Sequence, residues 1–233
     1  MVRRVSGVPP PIDHRESFAV DAAHRKQEVI MMRPGWIASV LGALAIAACG
    51  DHGTDPSSDG ATVDEAVAAD LQFLREEEKL ARDVYETLYQ RWALRPHANI
   101  GASEQTHMDR VAAMLADLGL PDPVADDTIG VFANDELGQL FADLVASGQQ
   151  SEIASLRVGA TIEDLDIRDI DAMAERATDA SVLSVYDALR CGSRNHLRAF
   201  ASQLAARGAS YSPQYLGQAE YDAILAGAQE SCG

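Results

Sequence analysis

Four stretches of this chain repeat apolar residues every three or four positions, and each repeat is broken near its middle by an acid or an imidazole. The period commits the backbone to amphipathic helices, because residues three and four apart share a helix face. The breaks constrain the fold further. A stripe facing a core carries an ionisable group only where something compensates for lost hydration, since an unpaired buried carboxylate costs several kcal/mol.

The first stripe is Val67, Leu71, Leu74, Ala81, Tyr85, Leu88 and Trp92, on a helix expected from about Val63 to Trp92 with Thr62 or Asp64 as its cap. Its spacing puts Glu78 on the core face. Glu76 and Glu77 fall on the outer faces, where solvated pairing with Lys79 and Arg82 is expected. Pro96 ends that helix. A second helix is expected from Asn99, as N-cap, to Leu118, with Gly119 as its stop. Its stripe of Ile100, Val111, Leu115 and Leu118 places Glu104 and His107 on the core face. Leu120 to Ser151 is a long connection with a short helix from Asn134 to Ala146. It can cross the length of a bundle, so that the helices on either side of it run parallel.

The third helix is expected from Glu152 to Leu165, continuing to Ala177 with a bend near Asp166. Glu163 occupies its stripe between Ala160 and Ile167, and Asp166 shares that face. The fourth runs from Ala180 to about Arg207, capped by Thr178 or Asp179. Stepping back from Phe200 along its stripe reaches His196 and then Ser193. A C-terminal appendage with a short helix from Gln218 to Ala226 is expected to pack over one end.

Alanine is abundant and strand-like alternation scarce, which favours an all-α fold. The net charge of −17 excludes nucleic acid as a partner and suits a protein that attracts cations. There is no glycine-rich phosphate loop, Gly-x-Ser-x-Gly or CxxC.

Residues 31–49 carry one charge, Arg33, and then an apolar run from Trp36 to Ala48. That is a secretory signal pattern, too short for a comfortable membrane span. It closes on Ile46-Ala47-Ala48-Cys49, which resembles a bacterial lipobox. The resemblance implies a signal peptide over 31–48, lipid attachment at Cys49, a membrane anchor and a place in the cell envelope, facing periplasm or exterior. Residues 1–30 precede the signal and do not belong to it. They are expected to be an untranslated upstream extension, with translation starting at Met31 or Met32; the alternative is a genuine cytoplasmic extension. Residues 49–62 read as a flexible tether to a domain over 63–233.

Singly, Glu78 is read as a surface charge, Asp166 as a helix cap or bend, and His196 as a core histidine. Jointly, carboxylates and imidazoles on four buried stripes point to divalent cations held inside a bundle. Tyr85 is either a core residue or a hydrogen-bonding and electron-relaying neighbour.

The motifs REEEKLARDVY (75–85), NIGASEQTHM (99–108), VGATIEDLDIRDI (158–170), GSRNHLRAF (192–200) and YSPQYL (211–216) resemble a bacterial family, domain of unknown function 2202, placed in the ferritin-like superfamily. The resemblance implies a ferritin-like four-helix bundle with a long crossover. It also implies two divalent metal ions, iron first, with manganese or zinc as alternatives. Glu78 would be a terminal ligand, Glu104 would bridge and His107 would bind one ion. Glu163 would be the third-helix carboxylate and His196 the fourth-helix imidazole. Ser193 stands where di-iron carboxylate proteins of this kind carry a second glutamate, which leaves Asp166 as the candidate replacement and a second metal in question.

With Cys49 lipidated outside the cytoplasm, Cys191 and Cys232 remain as a pair in an oxidising compartment, either disulfide-bonded or as two buried thiols. The functional expectation is a lipid-anchored envelope metalloprotein with oxidase- or peroxidase-type chemistry on O₂ or peroxide. The alternative is a non-catalytic structural or protein-binding lipoprotein. A homodimer is open.

Overall fold

The computed structural model describes residues 63–232. The upstream extension, signal peptide, Cys49 and tether expected over 1–62 lie outside the described residues. Among the described residues there are six helices and no strand: α1 (Glu65–Trp92), α2 (Arg95–Asp117), α3 (Asp135–Gly148), α4 (Glu152–Ala174), α5 (Ala180–Ala205) and α6 (Gln218–Ala226). None of them is long and apolar enough to cross a membrane.

Side-chain caps fix most of the starts. Asp64 accepts from the Ala66 amide, Asn134 from Glu136 and Leu137, Ser151 from Ala154, and Asp179 from Ser181 and Val182. Helix α2 is the exception. It has no side-chain cap and begins at Arg95, four residues before the expected Asn99, with Pro96 in its first turn. Proline is tolerated there because the first amides of a helix have no intrahelical acceptor. Pro96 therefore opens α2 as well as following α1. Helix α4 is uninterrupted from Glu152 and ends at Ala174, short of the expected Ala177.

The four long helices form a bundle in which each packs on two others: α1 on α2 and α4, α5 on α2 and α4. Helices α2 and α4 run in the same direction. Both start at the C-terminal end of α1, where His97 meets Ser155. Both finish at its N-terminal end, where Gln72 bonds the Pro121 carbonyl and Arg176 pairs with Asp70. The connection between them runs back along α1, ending where the Trp92 indole N–H donates to the Gly148 carbonyl.

That connection overturns one expectation. Glu76, Lys79 and Arg82 are buried, as is Asp83; Glu77 is buried as well, but beside Asp169 of α4. Segment 121–134 lies over the face of α1 that the helical period alone assigns to solvent. Arg75 pairs with Asp122, and Arg82 with Asp127. The Lys79 ammonium lies 2.5 Å from Asp83 and donates to the Thr128 carbonyl. Glu76 accepts from the amides of Ala133 and Asn134. A charged stripe on α1 thus supplies the hydrogen bonds that an otherwise irregular segment requires.

Two apolar clusters fill the bundle. One joins Val84, Tyr85, Leu88, Ile100, Leu156 and Phe200, together with Tyr211, Leu216, Tyr221 and Ile224 of the C-terminal appendage. The other joins Leu71, Leu74, Val111, Leu115, Ile170 and Leu189. The broken stripe positions fall between them.

Candidate metal centre

Each long helix passes from one apolar cluster to the other through a polar turn. On α1 that turn carries Glu78, on α2 Glu104 and His107, on α4 Glu163 and Asp166, on α5 Ser193 and His196; all are buried. Glu104 is central. Its Oε2 lies 2.7 Å from His107 Nδ1 and its Oε1 lies 2.9 Å from His196 Nδ1. His107 Nδ1 also lies 3.2 Å from Glu78 Oε2, and His196 Nδ1 lies 3.4 Å from Glu163 Oε2. The two imidazoles stack with centroids 5.5 Å apart.

Two groups of ligand atoms result. Glu78, Glu104 and His107 each place one within 4.8 Å of the others, and so do Glu104, Glu163 and His196. Glu104 belongs to both. Asp166, expected as a replacement ligand, belongs to neither. It accepts a hydrogen bond from Ser193, the residue at the expected glutamate position, and Ser193 also bonds the Leu189 carbonyl at 3.0 Å. Asp166 lies within α4, so it is not a helix cap.

The surroundings orient the five side chains. The Tyr85 hydroxyl donates to Glu163 Oε1 at 2.5 Å, which leaves Oε2 toward His196. His196 Nε2 meets Ser103 Oγ at 3.0 Å. Gly192 makes room for His107, since a Cβ there would stand 2.5 Å from His107 Nε2.

Burial and mutual charge set the protonation of the layer. Burial raises Glu78 to about 7 against the opposing pull of His107. Burial also raises Glu163, with Glu104 adding to the effect, and lifts Asp166 well above the usual range, with Glu78 and Glu163 contributing. Glu104 goes the other way. Burial works against its charge, but His196 and His107 outweigh it and hold the carboxyl well below the ordinary range. Burial likewise opposes both imidazolium ions, and the carboxylates win. His107 is raised by Glu78 and Glu104, and His196 is pushed up to about 10 by Glu104 and Glu163. Protons thus do part of the work of cations in this layer.

Three further groups that the sequence did not mark as buried lie around the layer. His97 bonds Ser155 at 2.5 Å and packs against the touching rings of Tyr85 and Phe200. It stands three residues before Ile100 on the α2 stripe, and a helix start before Pro96 would have revealed it. Asp164 accepts from the Tyr211 hydroxyl and from the amides of Gln214, Tyr215 and Leu216, which fixes the YSPQYL segment to α4. Glu77 is raised well above its ordinary range by burial and by Asp169 and Asp166. Helical phase gave no signal for the last two.

An all-helical bundle with two carboxylate–imidazole groups sharing one glutamate defines the class of molecule. Within it, the chain belongs to the family described as an uncharacterized protein domain (DUF2202), which it matches over residues 68–228. It is similar to the uncharacterized protein MJ0754 of Methanocaldococcus jannaschii, 48% identical over 157 residues that span 67% of this chain and 85% of the relative. The crystal structure of the hypothetical protein MJ0754 from Methanococcus jannaschii superposes with a TM-score of 0.72 at 44% identity, covering 78% of this chain and 100% of that one.

Proposed function

We propose that this protein is a ferritin-like metalloprotein that holds two divalent cations across Glu104, one with Glu78 and His107, the other with Glu163 and His196. The carrying observation is that Glu104 turns one oxygen to each imidazole and stands in both ligand groups. The donor set fits. Carboxylate oxygens and imidazole nitrogens suit iron, manganese and zinc. Glu78 Oε1, Glu104 Oε1 and His196 Nδ1 are buried without a well-formed hydrogen bond, as expected of atoms whose partner is an ion.

Bound iron would supply electron transfer to a small oxidant such as O₂ or peroxide. The chain's own contribution is orientation. Tyr85 fixes Glu163, Ser103 fixes His196, and Gly192 lets His107 approach α5. Asp166 accepts from Ser193 and belongs to neither group, so Glu104 is the one carboxylate that the two groups share. The signal pattern and Cys49 support a lipid-anchored place in the cell envelope. Two pairs of opposite charge, Glu104 with each imidazole, support a second reading, in which the layer is a structural element of a non-catalytic envelope protein.

Half-site variants separate the readings. Glu78→Gln and Glu163→Gln each remove one group's private carboxylate, so each purified variant should retain one ion per chain by elemental analysis. Wild-type and variant protein all free of stoichiometric metal would refute the metalloprotein reading and leave the structural one.

A further inference from the structure

A cavity of about 460 Å³ opens between α2 and α5, and His107 and His196 form part of its lining. Its other walls mix polar side chains, Asn99, Ser103, Thr106, Arg110 and Asn195 among them, with the apolar Ile100, Ala188 and Ala199. Gln229, Glu230 and Cys232 also line it, and they come from the chain beyond α6.

That last segment, 227–232, is fastened to one face of α5. Cys232 is bonded to Cys191, with Cα atoms 5.6 Å apart. Glu230 accepts from Arg194 Nε at 2.9 Å and from Arg198 at 2.7 Å. The Asn195 side chain bonds both the amide and the carbonyl of Glu230, at 2.9 and 3.0 Å. Positions 191, 194, 195 and 198 follow the i, i+3, i+4, i+7 rule for one helix face. Cys232 lines a second cavity of about 380 Å³ as well, so the disulfide stands between the two.

We propose that this cavity is the port through which small hydrogen-bonding solutes reach the metal centre, and that the fastened C-terminal strap is its outer wall. The inference rests on the metalloprotein reading. The port ends on the imidazole edges of the layer. Its hydroxyl and amide groups offer hydrogen bonds to a small polar solute on its way in. The strap narrows the port because three of its residues form the rim, and it stays in place because its fastenings are both covalent and ionic.

The test uses the cobalt(II)-loaded protein and azide, followed by stopped-flow visible absorption. Cys232→Ser with Glu230→Ala and Asn195→Ala removes the disulfide, the ion pairs and the main-chain clamp, and azide binding should accelerate at least about tenfold, the scale on which a gating step slows association. Ala199→Trp, on the exposed lip of the port, should slow it by a similar factor; Thr106→Trp on the facing lip serves if the first variant folds poorly by circular dichroism. Cobalt that binds normally, with azide rates the same in every variant, would overturn the port and leave the metal centre standing. A protein that binds no cobalt would overturn both.

Discussion

Glu104→Gln replaces one oxygen by nitrogen at nearly constant volume, so its effects report charge rather than packing. In the metal-free protein it removes an anion that stands 2.7 Å from His107 and 2.9 Å from His196. A hydrogen bond to a charged group contributes about 1.5–3 kcal/mol, so the His107 bond and the less well aligned His196 ion pair together set an upper figure of about 3–6 kcal/mol. The amide keeps one acceptor oxygen and needs less desolvation, which returns about 1 kcal/mol. The expected loss is about 2–5 kcal/mol, in line with breaking a buried ion pair. For a domain of this size that lowers Tm by roughly 4–20 °C. Urea unfolding of chelator-stripped protein, followed by circular dichroism at neutral pH, measures it. The same variant should hold at most one ion per chain, because an amide does not bridge two cations as a carboxylate does. A stability change below about 0.5 kcal/mol, the scale of an uncoupled surface substitution, with metal content unaltered, would refute the placement of Glu104 as the shared anion.

Asp164→Ala leaves four donors of the C-terminal segment without an acceptor. It should cost about 3 kcal/mol or more and speed hydrogen exchange at the amides of 214–216; exchange equal to wild type would contradict that. Gly192→Ala drives a methyl group into His107 and should weaken cobalt binding at least about tenfold, as loss of a ligand's support does, with helix content intact; unchanged affinity would show that the close approach is dispensable. Stability of the stripped protein should fall as pH rises. His196, raised to about 10, contributes fully below its ordinary 6.5 and loses that contribution as pH climbs through 10. Glu78, raised to about 7, acts with the same sign between 4.5 and 7, while the depressed Glu104 opposes them only at lower pH. Metal displaces these protons, so the stability it adds should grow with pH. Urea midpoints of stripped and loaded protein at acidic, neutral and alkaline pH check both trends, and parallel curves would contradict them.

The helices were legible because burial imposes a period on each of them, and the period also placed Glu78, Glu104, His107, Glu163 and His196 on inward faces. It failed where burial comes from outside the helix pair. Glu76, Lys79 and Asp83 share a face of α1 that a connecting segment covers, and a periodic stripe of charges reads the same whether water or a loop lies above it. Asp164 is hidden in the same way, by a segment that folds back from beyond α5. Pro96 misled because its effect depends on position: it breaks a helix interior and opens a first turn. Asp166 shares the inward face with Glu163, yet phase cannot show that its carboxyl bonds Ser193 and belongs to neither ligand group.

The proposed pair of cations across Glu104 has a direct crystallographic signature. The direct measurement is anomalous X-ray scattering, at the absorption edge of the metal found by elemental analysis, from crystals of protein purified without chelator. Two peaks per chain, one on each side of the Glu104 carboxylate and contacting His107 and His196 respectively, are expected. Crystals of the same protein with no peak in the layer, and the histidines paired with Glu104 instead, would contradict it.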